Sequence, residues 1–161
     1  MRELEHKYKN DIEKICFKHC YEIGIDEFAL LSISTKDEDV KQSFDMIFRE
    51  CNKKLSVRIR TNQFIKFNDM TIRTKSKNGG RTELDKILEG KSDIYFYAYQ
   101  NKDEDKIVQY HIVDINIIRA FTKQKKYTEL KNYDGTEFYA YNFNDIINYA
   151  NQNNLLYINS N

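Results

Sequence analysis

In the stretch "FDMIFRECNKKLSVRIRT", residues 44–61, an aspartate stands near the start and two arginines stand two residues apart near the end. Phe44, Met46 and Phe48 alternate with Asp45, Ile47 and Arg49, and Leu55, Val57 and Ile59 alternate with Ser56, Arg58 and Arg60. A period of two predicts two strands, joined as a hairpin through "ECNKK". Residues i and i+2 of a strand share a face, so Arg58 and Arg60 point together, toward the place where Asp45 would sit. A carboxylate there could ligate Mg²⁺ beside a phosphate, and arginine forks match phosphate oxygens whether or not a bond is cut. Two permanent positive charges, however, oppose a dication. Asp45, Arg58 and Arg60 are thus the residues of this stretch whose types could serve phosphate chemistry. An ion-pair cluster on a solvated strand face is the plainer alternative.

The charge around this hairpin is uneven. The net charge is only +1, but from Arg58 to Arg81 there are seven Lys or Arg and one acid, Asp69. Arg73, Lys75, Lys77 and Arg81 would extend a basic surface with salt-dependent, sequence-tolerant affinity for nucleic acid, DNA foremost. Their bland reading is solvation of an exposed hairpin. Rebuilding a metal site would take a further carboxylate, and Glu13, Asp37, Asp39 and Asp69 are the candidates.

The remaining pattern supplies the elements that must position these residues. Ile12, Ile15, Cys16, His19, Cys20 and Ile23 recur at helical offsets, predicting one amphipathic helix that ends near Gly24. "FALLSIS" fits a buried strand or a second helical segment, and "KDED" a loop or helix start. "MTIRTKS" is a third strand that would pair with the hairpin and give one basic sheet face. Thr82 caps a short helix, with Asp85 three residues on and a stop at Gly90. "SDIYFYAYQ" and "DKIVQYHIVDI" are strands about a charged turn, and "DINIIRAF" a helical turn. The tail gives a strand "DGTEFYAY", a capped helix "NFNDIINYANQ" and a final short strand "LLYIN". The fold class is therefore α/β: one domain over 1–161, with a central mixed sheet flanked by helices.

A hydrophobic fraction of 40% with 12 Tyr and 10 Phe makes a packed core the expectation rather than disorder. The apolar runs are too short to cross a bilayer, and the charged start lacks a signal region, so a soluble protein is expected. Three irregularly placed cysteines suit a reducing cytoplasm. Cys16, His19 and Cys20 lack zinc spacing and fit core packing. "KNGGRT" fits a turn, and His111 a part-buried strand position. Tyr95, Tyr97 and Tyr99 would line one sheet face, either stacking on bases or packing under a helix.

The layout resembles the restriction-endonuclease-like superfamily, PD-(D/E)XK, in particular its phage and mobile-element members. There, a helix carrying a Glu precedes a strand bearing an Asp, followed by a strand ending in Asp/Glu-x-Lys or Gln-x-Lys. The resemblance covers roughly residues 10 to 121 and places Asp45 at the family Asp, so it implies Asp45 as the metal ligand and catalytic residue, with Arg58 and Arg60 as catalytic partners. Arg58 and Arg60 then stand at the acid and the lysine, both departures from the pattern. The segment "TIRTKSKNGGRTELDKILEGKSDIYFYAY" also looks like a stretch in those phage proteins. The resemblance implies a nucleic-acid-binding protein on a degenerate nuclease-like core, with phosphate contacts from Arg58, Arg60, Arg73 and Lys75. Two other classes stay open. One is an Mg²⁺-dependent endonuclease using Asp45 and a carboxylate from elsewhere. The other is an interaction module that inhibits a host or defence protein through its Tyr-rich strand and acidic loop.

Overall fold

The computed structural model describes residues 2–42 and 44–160, without the side chains of 2, 5 and 40–42. The chain opens with helix α1 (Arg2–Lys18), which buries Tyr8, Ile12 and Cys16 at successive four-residue steps. A break at His19 separates it from one further turn, α2 (Cys20–Ile23), closed by Gly24 at φ 75° with its N–H donating to the Cys20 carbonyl. That left-handed stop is the one expected of glycine.

"FALLSIS" resolves as strand β1 (Leu31–Ile33), and "KDED" as the start of helix α3 (Lys36–Gln42). Thr35 and Glu38 form a reciprocal cap there: the Glu38 N–H donates to Thr35 Oγ1 and the Thr35 N–H to Glu38 Oε2. The hairpin follows, as β2 (Met46–Phe48) and β3 (Lys53–Thr61) joined by a 3₁₀ turn with Asn52 at φ 53°. A second 3₁₀ segment, Asn62–Phe67, leads into β4 (Asp69–Lys75). Helix α4 (Glu83–Glu89) begins at a full Thr82–Asp85 capping box and stops at Gly90. Strands β5 (Ile94–Gln100) and β6 (Ile107–Asp114) then precede α5 (Ile115–Lys123), β7 (Thr128–Lys131), β8 (Glu137–Asn142), α6 (Phe143–Asn153) and β9 (Tyr157–Asn159).

These strands form two sheets. The larger runs β1-β2-β3-β5-β6-β9, with β3 and β5 parallel and every other pair antiparallel, so it is mixed. The smaller runs β4-β8-β7, antiparallel throughout. Strand β4 therefore does not extend the hairpin, as its pattern suggested, but belongs to a second layer. Met70 and Ile72, both fully buried, press that layer onto Tyr95, Tyr97 and Tyr99 of β5. On the opposite face of β5, Phe96 and Ala98 join Ile12, Cys16, Met46, Phe48 and Val57 in the core beneath α1. One sheet with a core on each face makes one domain, and every residue of β5 is buried. Among the described residues no helix is long and apolar enough to cross a membrane.

Candidate functional site

Asp45 sits just before β2 and is held by the ladder on either side of it. Its N–H donates to the Leu55 carbonyl at 2.8 Å, its carbonyl accepts from the Ser34 N–H at 2.9 Å, and its Oδ2 accepts from the Val57 N–H at 2.7 Å. Only 8% of it is exposed. The alternation of β3 sends Val57 into the core under α1. Ser56, Arg58 and Arg60 lie across from Tyr95, Tyr97 and Tyr99 of β5 and share their face. A small cleft of about 100 Å³ results, lined by Asp45, Ser56, Arg58, Arg73, Glu83 and Lys86. The β3 residues that line the cleft with Asp45 are Ser56, Val57 and Arg58. Arg60 lies one strand repeat further along, in the neighbouring groove.

Arg58 is the centre of this region. Its Nη1 donates to Glu83 Oε2 at 2.5 Å, with side-chain exposures of only 17% and 14%. Glu83 Oε2 also accepts from the Arg73 N–H at 3.1 Å, and its Oε1 from the Tyr95 hydroxyl. Burial works against the charge on Arg58, but Glu83, together with Tyr95 and Tyr97, more than reverses that effect and raises the guanidinium pKa. Burial, reinforced by Glu83, drives the Tyr95 phenol well above its ordinary range. One atom is left over: Arg58 Nε is buried without a hydrogen-bond partner.

Arg60 is fixed differently. Its Nη1 donates to Thr71 Oγ1 at 2.6 Å and to the Tyr97 hydroxyl at 3.3 Å, and its guanidinium lies 3.8 Å from the Phe64 ring centroid. These contacts join β3 to the second layer at β4. Arg73 is exposed, and it and Arg58 both approach the Phe138 ring, at 5.9 and 5.8 Å. Between these groups runs a groove of about 430 Å³ lined by Leu4, Arg58, Ile59, Arg60, Phe64 and Arg73, with no acidic side chain among the described residues that line it.

The other basic candidates lie at the margin. Lys75 pairs with Glu137 at 3.3 Å, and Arg81 pairs with Glu89 at 2.8 Å while lining the Asp45 cleft. Lys77 is exposed, and after the Thr136 hydrogen bonds its charge helps hold the Asp134 carboxyl low. Lys75, Lys77 and Arg81 therefore form a solvated fringe rather than part of the buried cluster.

The candidate carboxylates are engaged elsewhere. Glu13 accepts from the Leu31 N–H at 2.8 Å, Asp39 pairs with Lys86, and Asp37 opens α3. Asp69 begins β4, where burial raises its carboxyl and Arg60 opposes that. The carboxylate that shares the cleft with Asp45 is Glu83, which in sequence is simply the first residue of a capped helix. Its oxygens already take Arg58 and Tyr95, and one oxygen of Asp45 takes a backbone N–H. Among the described residues no group of three or more His, Cys, Asp or Glu is arranged to hold a metal ion. This donor set does not fit a resident Mg²⁺.

The remaining motifs are structural. Tyr95, Tyr97 and Tyr99 are at most 1% exposed, so the tyrosine row packs between layers and presents no contact surface. Cys16 is fully buried, its thiol pushed up to about 12 by burial, and His19 bonds the Tyr110 hydroxyl at 2.8 Å. His111 stacks on Phe143 at 3.7 Å and bonds the Tyr157 hydroxyl, and burial lowers its pKa to about 4. Comparison with protein-family models, curated proteins and solved structures finds no match for this chain.

Proposed function

We propose that this protein binds nucleic acid, with the β3 groove as its phosphate-contacting surface. The observation that carries the reading is the convergence of Arg58, Arg60 and Arg73, from two different sheets, on one groove whose described lining residues include no acid. Concave, single-sign surfaces focus potential, and guanidinium forks suit phosphate oxygens. Lys75, Lys77 and Arg81 add longer-range attraction from the fringe. The chain order of Glu13 on α1, Asp45 just before β2 and the arginines on β3 supports a degenerate restriction-endonuclease-like core of the phage and mobile-element kind. Three free thiols suit a cytoplasmic setting. An endonuclease reading gains from Asp45 and Glu83 sharing a cleft, but the misfit of their donor set to Mg²⁺ weighs against metal-dependent hydrolysis at this site.

The test is an electrophoretic shift or fluorescence anisotropy assay with duplex and single-stranded DNA across a salt series. Affinity should fall linearly on logarithmic axes, with Arg73→Ala lowering the slope by about one. An absence of binding at low salt refutes the proposal.

A further inference from the structure

We infer that the β3 groove takes a nucleotide whose base is out of the helical stack, so that the ligand is single-stranded nucleic acid; this rests on the phosphate-binding reading above. The groove combines charge with apolar surface. Arg58 and Arg73 supply cations, while Leu4, Ile59 and Phe64 line the same space. Contacts to a duplex backbone need only protruding cations, whereas apolar walls inside the groove have a use when a base lies against them.

Arg60 gives those walls a flat platform. Its guanidinium lies on the Phe64 ring at 3.8 Å and is held by Thr71 and Tyr97, so its plane is set before any ligand arrives. Arg60 and Phe64 are both part-exposed along the groove. A planar cation over an aromatic ring is the kind of surface on which any base stacks without hydrogen-bond readout. The space, about 430 Å³, matches one small-molecule-sized group rather than the face of a rigid rod.

A second observation is independent of the stacking. Among the described residues the buried side-chain polar atoms without a partner are Arg58 Nε and Thr61 Oγ1, and both residues line this groove. Unsatisfied buried groups are scarce in native structures. A phosphate drawing the Arg58 guanidinium off Glu83 would give Nε an acceptor, and Thr61 would then face the nucleotide it admits.

The experiment compares three fluorescein-labelled probes at one low salt concentration: a thymidine 20-mer, its duplex with deoxyadenosine 20-mer, and a 20-unit abasic deoxyribose-phosphate strand. The thymidine strand should bind about tenfold or more tighter than the other two, the smaller end of what stacking one base contributes. Phe64→Leu should weaken the thymidine strand about tenfold and leave the abasic strand unchanged, and the charge-keeping Arg60→Lys, which also alters a phosphate contact, should weaken the thymidine strand more than the abasic one; circular dichroism melts check that both variants fold. Equal affinity for all three probes, or equal weakening of all three by Phe64→Leu and Arg60→Lys, overturns the base-stacking inference and leaves the phosphate reading standing. No binding of any probe overturns both.

Discussion

Removing the Glu83 carboxylate tests whether the Arg58–Glu83 pair carries the contact between the central sheet and its second layer. Both side chains are more than four-fifths buried, and Glu83 also accepts from Tyr95 and from the Arg73 N–H. Glu83→Ala leaves the Arg58 charge buried and uncompensated and strands the Tyr95 hydroxyl. Breaking a buried pair from one side costs about 3–5 kcal/mol, which lowers Tm by roughly 6–20 °C in a chain of this length. Glu83→Gln keeps an oxygen for Tyr95 and loses only the charge, so it should cost about 1.5–3 kcal/mol. The double substitution Arg58→Met/Glu83→Leu removes both charges and leaves the Tyr95 hydroxyl as the main loss, so it should cost about 1–3 kcal/mol, less than Glu83→Ala alone. Urea unfolding followed by circular dichroism measures all three. If Glu83→Ala costs under about 1 kcal/mol, or the double variant is worse than the single, the pair does not hold the layers together and the reasoning fails.

Four further outcomes are expected. His111, whose pKa burial lowers from 6.5 to about 4, favours folding when neutral, so its contribution is complete above pH 6.5 and is lost as pH falls toward 4. The gap between wild type and His111→Gln in urea unfolding should therefore be constant above about pH 7 and shift by about 2 kcal/mol at about pH 5; a gap independent of pH counts against a buried neutral imidazole. Asp45→Ala leaves the Val57 N–H without its acceptor and should cost about 1–3 kcal/mol, while Asp45→Asn should cost less, as read by thermal melts. Thr82→Ala removes the cap that starts α4 and should cost about 0.5–2 kcal/mol in the same assay. Glu83→Gln, tested on a DNA probe at low salt, should bind more tightly than wild type, because it releases Arg58 from an anion that competes with phosphate; unchanged or weaker binding goes against that competition.

Local signals were readable wherever the cause was local. The four-residue stripe of α1, the hairpin period around Asp45 and the Thr82–Asp85 cap each depend on neighbours within one or two turns, and each stands where its pattern places it. Strand β7 carries no sequence signal, because all four of its residues are exposed and show no alternation; it exists through pairing with β8. The sheet to which β4 belongs is not legible in its pattern, because a strand's own residues do not name its partner: β4 pairs with β8, far along the chain, and its Met70 and Ile72 bury against the tyrosines. The fate of those tyrosines did have a signal. "IYFYAY" is a continuous apolar run rather than an alternating one, as expected when both faces of a strand are covered. Glu83 had none, for an acid in the first turn of a capped helix is ordinary helix chemistry, and only the crossover from β4 to β5 lays it over Arg58.

Arg58 and Glu83 are where the demands of fold and proposed function meet. A buried ion pair is weak as a source of stability, because desolvation offsets most of the attraction. An apolar pair in the same place would pack the layers without leaving Arg58 Nε orphaned. What the ion pair adds is a guanidinium kept charged inside the fold and presented at the junction of two clefts, one with Asp45 and one with Arg60 and Phe64. Glu83 then has two opposed effects: it stabilises the free protein by neutralising Arg58, and it occupies the fork that a phosphate would need. A role confined to stability predicts that Glu83→Gln weakens the fold and weakens or leaves unchanged any binding. A role as a resident stand-in for phosphate predicts opposite signs, a less stable protein with a tighter grip on DNA, and that opposition is the signature that separates a structural ion pair from a binding one.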